Sequence, residues 1–217
     1  MLNRILASAA LAGVLMLGQP AQADEQELVD SSARVLEQFL ADADVKRTLE
    51  RARGLMIIPD YVKAGFIIGG AGGDGVMMLR RADGSWTYPA FYEFGGGSVG
   101  LQIGAAESEI LMLFMTDAGL DQVIDEKLVL GGSAGATVMT ASGQQSGSVS
   151  DDDVDIITYV RARGAFVGAT IEGGHIDYED DENRDYYGRG ASARAILIDN
   201  AVSNPGADRL RGLLAGK

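Results

Sequence analysis

The chain of 217 residues contains no cysteine, and this absence excludes several kinds of site. Without thiols the protein can form neither a disulfide nor a thiolate metal centre, so its stability must come from the core alone. Histidine occurs only once, as His175 in a Gly-Gly-His segment. Because one imidazole provides few parts for a hydrolytic site, we expect no catalytic residues and no enzyme activity.

Basic residues are also scarce, with 18 Lys and Arg against 31 Asp and Glu and a formal net charge of −13. This balance excludes general nucleic-acid binding, which depends on dense positive charge. The charge is uneven, because five bases occur between Val45 and Lys63 whereas eleven acids occur between Asp151 and Asp185. We therefore expect a molecule with an acidic region and a mildly basic one.

Long hydrophobic runs are absent after the first 23 residues, and the longest later run, Ile110 to Met115, has only the length of a strand. Residues 1–23 have the parts of a secretory signal: Arg4, an apolar core from Ile5 to Leu17, and a small-residue cleavage site that ends at Ala23. We expect export with cleavage near Ala23. Lipid modification is not expected, because it needs a cysteine.

Glycine, in contrast, is abundant, and 12 of the 30 glycines lie between Lys63 and Gly104. The residues between these glycines are apolar, which indicates a packed β-sheet rather than a linker. After Ser98 large and small residues alternate, so that Val99, Leu101 and Ile103 share one face. The bare opposite face allows two interpretations: close packing against another layer, or a slot for an extended ligand.

Periodicity and capping residues predict the local structure. An amphipathic helix is expected over Glu25–Ala41, and a second one from an Asp44 cap to Arg53, with Gly54 as its stop. A short strand should end at Pro59, and Asp83-Gly84 should form a hairpin turn. We expect a further helix capped by Asp117, strands at 136–140, 156–161 and 165–171, and a closing helix that begins at Asn204-Pro205.

Strands in the middle with helices at both ends favour an α+β class. We predict a strongly curved antiparallel β-sheet or barrel-like sandwich with N-terminal and C-terminal helices. The expected organisation is a signal peptide over 1–23 followed by a single domain over 24–217. Within that domain, N-terminal helices cover 24–53, a glycine-rich β core with one inserted helix covers 54–190, and C-terminal helices cover 191–217.

Two segments match the dinucleotide-binding pattern Gly-x-Gly-x-x-Gly, at 70–75 and 95–100. That pattern binds a pyrophosphate only when a helix follows it, and both segments are followed by strand-like residues, so no cofactor is expected. The second segment also contains Gly-x-Ser-x-Gly at 96–100. A nucleophile elbow likewise needs a strand-to-helix turn, which this segment lacks.

Acidic residues that alternate between Asp177 and Asp185 have an order similar to that of calcium ligands. An EF-hand loop needs glycine at its sixth position, where this chain has Glu182. We expect a solvated loop here and at Asp151–Asp155, and no metal site, although weak calcium binding by these loops stays open.

An ordered set of motifs resembles the SYLF domain, a lipid-binding family. It comprises GLMIIPDYVKAGFIIGG, the W-x-x-P-A-F segment at Trp86 to Phe91, FGGGSVGLQIGA, ILMLFM, RARGAFVGATIEGG and the YYG at Tyr186 to Gly188. The resemblance covers nearly the whole chain after the signal. It implies binding rather than catalysis: eukaryotic members bind phosphoinositides and, in fungi, actin, and bacterial members are exported proteins.

Taken together with the predicted export signal, this resemblance implies a bacterial periplasmic protein that binds phospholipid or a membrane surface. The alternative is a structural or protein-interaction module of the cell envelope without a lipid ligand. No protein partner is specified, and neither actin nor phosphatidylinositol selectivity is expected in a compartment that lacks them. From charge alone, the candidate residues for lipid head groups are Lys46, Arg47, Arg51, Arg53 and Lys63.

Overall fold

A computed structural model of the protein describes residues 21–65, 68–99, 104–124, 128–130, 136–140, 145–146, 156–163 and 174–216. The helices are α1 (Ala21–Phe39), α2 (Ala43–Arg51), α3 (Asp117–Ile124), α4 (Asp180–Tyr187), α5 (Ala193–Leu197) and α6 (Asp208–Leu214), with a 3-10 helix at Pro205–Ala207. The strands are β1 (Gly54–Gly65), β2 (Ile68–Leu79), β3 (Ala90–Val99), β4 (Gly104–Phe114), β5 (Leu128–Leu130), β6 (Ala136–Thr140), β7 (Gln145–Ser146), β8 (Ile156–Arg163) and β9 (Gly174–Tyr178).

The described strands form one sheet in the order β5-β9-β3-β2-β1-β4-β8-β6-β7. All neighbours from β9 to β8 are antiparallel, whereas β6 runs parallel to β8. The predicted mixture of an antiparallel sheet with helices at both ends is confirmed. The barrel-like alternative is wrong, because in the described part of the chain the edge strands do not pair with each other and the sheet stays open.

Helices cover both faces of the central strands. One buried cluster joins α1, α2 and α6 to a sheet face that includes Leu55 and Leu111. The other joins α3 and α5 to the face that includes Met56 and Ile110. Because both faces are buried, these strands have continuous apolar runs instead of an alternating pattern. Ile110 to Phe114, in the apolar run to which the sequence analysis gives the length of a strand, are all fully buried in β4.

Pro59 lies inside the central strand β1, not at its end as predicted. The registers of β1 with β2 and with β4 both shift around Pro59 and Asp60, which shows a β-bulge of one extra residue. A bulge is one of the few places where a sheet accepts proline, because the missing N–H falls where the ladder is already interrupted. The bulge also moves Tyr61 onto the same face as Ile58, which an uninterrupted strand would not do.

Two glycines of β2 make room for this bulge. A Cβ atom at Gly73 would lie 2.4 Å from the Asp60 carbonyl oxygen, and one at Gly75 would lie 2.6 Å from the Ile57 carbonyl oxygen. The expected close approach at glycine is therefore present, but its source differs from the prediction. The neighbour is the adjacent strand of the same sheet, not a separate layer. The predicted alternation of large and small residues after Ser98 also depended on residues 100–103, which lie outside the described residues.

Several predicted boundaries are confirmed and two are corrected. The Asp83-Gly84 turn joins β2 to β3, with Gly84 at φ +81°, and Asn204 caps the 3-10 helix that precedes α6. The cap of α2 is Asp42, whose carboxylate accepts the Asp44 N–H at 2.7 Å, so Asp44 was the wrong choice by two residues. Gly54 begins β1 and is not the helix stop.

The structure adds α4 to the core, where the sequence analysis expected a solvated acidic loop. Its inner face is held by Asn183, whose side-chain amide donates to the Phe91 carbonyl at 2.9 Å and accepts the Phe91 N–H at 3.0 Å. Tyr186 packs edge-on against the Phe91 ring at 5.1 Å between centroids. On its inner face α4 carries the Asn183 amide and the Tyr186 ring instead of an apolar stripe, so the hydrophobic pattern did not indicate a helix.

Helix α1 packs against α6 and the 3-10 helix that precedes it. Gln26 of α1 donates to the Gly206 carbonyl at 3.1 Å, and Arg209 of α6 contacts Glu37 at 3.3 Å. Among the helices of the described residues, none combines the length and apolarity needed to cross a bilayer.

The bulge contact generates a prediction for a matched pair of variants. Gly75→Ala should lower the free energy of unfolding by about 1–3 kcal/mol, because the new methyl group collides with a backbone oxygen that cannot move alone. Gly70→Ala lies in the same strand with no atom within 4 Å and should be neutral or stabilise by up to about 1 kcal/mol. Urea unfolding followed by the fluorescence of Trp86 measures both, and equal destabilisation would contradict the bulge.

Candidate lipid-binding surface

Helix α2 presents the first bases of the candidate surface. Val45 and Leu49 are buried and fix its inner face, so Lys46, Arg47 and Arg51 are left on the exposed side. The helix is anchored to the sheet at a second point, where the Thr48 hydroxyl lies 2.7 Å from the Tyr159 hydroxyl.

The C-terminal end of α2 is held by Arg80, which follows β2 and which the sequence analysis did not select. Its guanidinium donates to the Ala52 carbonyl at 3.0 Å and to the Leu49 carbonyl at 2.8 Å. It also stacks over the Trp86 ring, 4.7 Å from the centroid. Burial lowers the pKa of Arg80, and a Glu50 charge opposes this shift. No sequence pattern marks this role, because the carbonyls that Arg80 satisfies belong to a segment almost 30 positions earlier in the chain.

Arg80 also brings two further bases together. Its backbone N–H donates to the Arg53 carbonyl at 2.7 Å, which joins the segment after α2 to the β2–β3 hairpin. Arg81, the next residue of the hairpin, is exposed beside it. We call the exposed set Lys46, Arg47, Arg51, Arg53 and Arg81 the basic end of the sheet.

The basic end is only weakly neutralised by its own acids. Arg47 forms an i,i+3 pair with Asp44, and Arg53 lies 3.7 Å from Asp117. Both pairs are exposed, and such pairs contribute little, so the two arginines stay available to an external anion. Within the described part of the chain, neither Lys46 nor Arg51 forms a salt bridge.

Lys63, the fifth predicted residue, does not belong to this surface. It lies near the far end of β1, paired with Ala71 and Ala106, whereas Arg53 precedes the start of the same strand. Ten residues of extended chain separate the two by about 30 Å. The structure thus assembles four of the five predicted positions and adds Arg81, while their role in lipid binding stays a prediction.

The motifs considered for other chemistry lie on strands. Gly70–Gly75 lies within β2, so no helix begins after it, and Ser98 lies within β3 and not at the strand-to-helix turn of a nucleophile elbow; residue 100, the last of the second pattern, lies outside the described residues. His175 is in β9, with Nε2 at 3.6 Å from Asp177 and its ring against Gly95. The imidazole therefore lies over Gly95 of the neighbouring strand β3 and is half exposed.

The expected acidic loop from Asp177 to Asp185 is instead the end of β9 followed by α4. The calcium-like order of its residues therefore has no loop to support it, and the described residues contain no group of three or more acidic, histidine or cysteine side chains placed to hold a metal ion. Asp151–Asp155 and the strand expected at 165–171 lie outside the described residues.

Comparison with known proteins agrees with the motifs. A family model described as "Las17-binding protein actin regulator" (Ysc84) matches residues 95–217, more than half of the chain. The chain therefore belongs to the Ysc84 family, whose domain is the SYLF domain, and the resemblance noted in the sequence is confirmed.

Individual relatives are similar over most of this chain. It is 29% identical to Protein YSC84 of Saccharomyces cerevisiae over 173 residues, which is 78% of this chain and 37% of that protein. It is 30% identical to LAS seventeen-binding protein 3 of the same species over 78% of this chain and 38% of that protein. It is 28% identical to the human SH3 domain-containing YSC84-like protein 1 over 69% of this chain and 44% of that protein. The match thus spans less than half the length of these relatives.

The contact of Arg80 with α2 can be tested by substitution. Arg80→Met keeps much of the side-chain volume but removes both donors to the helix carbonyls, so it should lower the free energy of unfolding by about 1–3 kcal/mol. Arg81→Met removes the same charge from an exposed neighbour and should change it by less than about 0.5 kcal/mol. Urea unfolding monitored by circular dichroism separates the two, and similar values would rule out the capping role.

Proposed function

We propose that this domain binds anionic phospholipid surfaces through the basic end of its sheet, without catalysis. One observation carries the proposal. Two segments that are separate in sequence, Lys46–Arg53 and the β2–β3 hairpin, bring five exposed bases to the same end of the sheet, in a protein with a net charge of −13. A negative surface attracts this end of the molecule, because the end carries the opposite charge.

The magnitude of the attraction is adequate for reversible binding. Each Lys or Arg near an anionic membrane surface contributes about 1 kcal/mol, and the attraction falls off within a Debye length. Trp86 is buried, so it cannot anchor the basic end in the membrane interface. We therefore expect binding that depends on salt and on the fraction of anionic lipid.

The family supports a binding function and also favours a second candidate. The yeast relative LAS seventeen-binding protein 3 is named for binding another protein, as is the family model itself. An envelope module that binds a protein partner is accordingly the alternative, and it requires no lipid. Actin is not the expected partner if the protein is exported, because a bacterial periplasm does not contain it.

Vesicle binding is the direct measurement. The protein should co-sediment with phosphatidylglycerol-containing vesicles but not with pure phosphatidylcholine vesicles, and raising the salt concentration should release it. The double variant Arg47→Gln/Arg51→Gln should weaken binding about 30-fold, since two charges contribute about 2 kcal/mol.

A matched control removes the same charge elsewhere. Arg189 and Arg194 are exposed near α5, away from α2, and their double glutamine variant should bind as the wild type does. Equal loss in both double variants would indicate a net-charge effect without a defined surface. Absence of binding to every vesicle would favour the protein-interaction alternative.

We also propose that the protein is exported to the periplasm with removal of residues 1–23. In a bacterial host, periplasmic fractions should contain a protein whose first residue is Asp24, as measured by intact mass. Ala23→Arg should block processing, because the cleavage site requires small residues, whereas Gln22→Arg, between the two small positions, should be processed. Recovery of the unprocessed wild-type chain in the cytoplasm would contradict export.

A further inference from the structure

A row of carboxylates crosses three neighbouring strands. Asp74 of β2 is directly opposite Glu93 of β3, and Glu93 is directly opposite Asp177 of β9. Like charges in such cross-strand positions repel each other. Residues two apart on a strand share a face, so the row lies on the side of Val76 and Phe91, where the helices α1 and α4 pack.

The helices add more carboxylates to this row. Glu179 and Glu182, at the start of α4, are in side-chain hydrogen-bond contact, and the charges of Glu93 and Asp74 act on Glu179. Glu25 of α1 is only 6% exposed. The Oε2 atoms of Glu25 and Glu182 are buried and receive no hydrogen bond from an N–H or hydroxyl group of the described residues.

Among the described residues, the basic side chains beside this cluster already have acidic partners. Arg184 of α4 pairs with Asp181, and the His175 imidazole lies 3.6 Å from Asp177. Around Glu25, the neighbouring charges from α1 and α4 are again acidic: Asp24, Glu182 and Asp185. As the described residues offer no arrangement for a metal ion, a proton is the positive charge that this cluster can hold.

The electrostatic environment agrees with a retained proton. Burial, followed by the charge of Glu182, raises the pKa of Glu179 to about 7. Burial also raises the pKa of Asp74 and of Glu25, with a further contribution from Glu182 in both cases. Two carboxyl groups in contact share one proton, because both cannot be charged at short distance without strong repulsion.

We propose that the docking of α4 is proton-linked: the docked helix retains a proton on the Glu179–Glu182 pair, and loss of that proton loosens α4 from α1 and the sheet. The contacts that would open are those that hold α4 in place. They are the Asn183 amide on the Phe91 backbone and the Tyr186 hydroxyl, which donates to Gln26 at 3.1 Å.

The direction of the pH effect follows from linkage. Glu179 has a raised pKa in the folded protein, so the docked state binds more protons than the open state between about 4.5 and 7. The stabilisation is therefore complete below about pH 4.5 and is lost as the pH rises through 7. Each pKa unit of difference corresponds to about a tenfold change in the docking equilibrium.

Hydrogen exchange at pH 5.5, 7 and 8.5, corrected for intrinsic rates, measures the docking. Protection factors of the α4 amides should fall about tenfold per pH unit between pH 5.5 and 7 and then change little between 7 and 8.5, whereas those of the buried strand Ile110–Phe114 should hold constant throughout. Glu179→Gln mimics the protonated group and should keep α4 protected at pH 8.5. Glu27→Gln removes the same charge from an exposed site on α1 and should keep the wild-type pH dependence.

Two further measurements do not depend on the variants. Carboxyl-carbon NMR of the wild type should show Glu179 titrating well above the ordinary glutamate range, and titration of Glu179 within that ordinary range would overturn the proposal. Equal pH dependence in Glu179→Gln and Glu27→Gln would overturn it as well. A calcium effect would overturn the proposal too: if added calcium restored the hydrogen-exchange protection of α4 at pH 8.5 in the wild type but not in Glu179→Gln, a cation would be taking the place of the proton.

Discussion

The contact on which this fold depends is the close approach of the β1 bulge to the glycines of β2. Pro59 and Asp60 interrupt the ladder in the middle of a central strand, and Gly73 and Gly75 let the displaced carbonyl groups come within distances that no side chain permits. The extra residue exchanges the two faces of β1 beyond the bulge. One strand can thus contribute Leu55 and Ile57 to the helix-covered face containing α1 and still place Tyr61 in the opposite core.

The bulge divides the sheet into two regions of different character. On one side the strands are apolar on both faces and covered by helices, and they end at Arg53 and Arg80, where the bases collect. On the other side the strands are rich in glycine, and the uninterrupted β2–β3 and β3–β9 registers align Asp74, Glu93 and Asp177. Charge separation in this molecule is therefore a consequence of strand register and not only of composition.

The sequence predicted what local patterns determine. The apolar residues between the glycines predicted the sheet, Asp83-Gly84 predicted the hairpin, and Asn204 predicted the cap near the C-terminus. Features that depend on contacts between distant segments were not predictable: the bulge at Pro59 requires glycines from another strand, and α4 is held by one amide on a strand about 90 positions away. For the same reason the candidate surface was grouped by charge along the chain, which included Lys63 and missed Arg81.

The basic end and the acidic cluster are independent in electrostatic terms. Asp74 and Arg80 are six residues apart on an extended strand, a separation of about 20 Å. The Debye length at physiological ionic strength is about 8 Å, so charges on the solvent side of these two regions are largely screened from each other. Protonation of the cluster should therefore alter the docking of α4 while it leaves the attraction of an anionic surface to α2 nearly unchanged. Helix α2 is held by Arg80 and the Tyr159 hydroxyl, and neither contact involves α4.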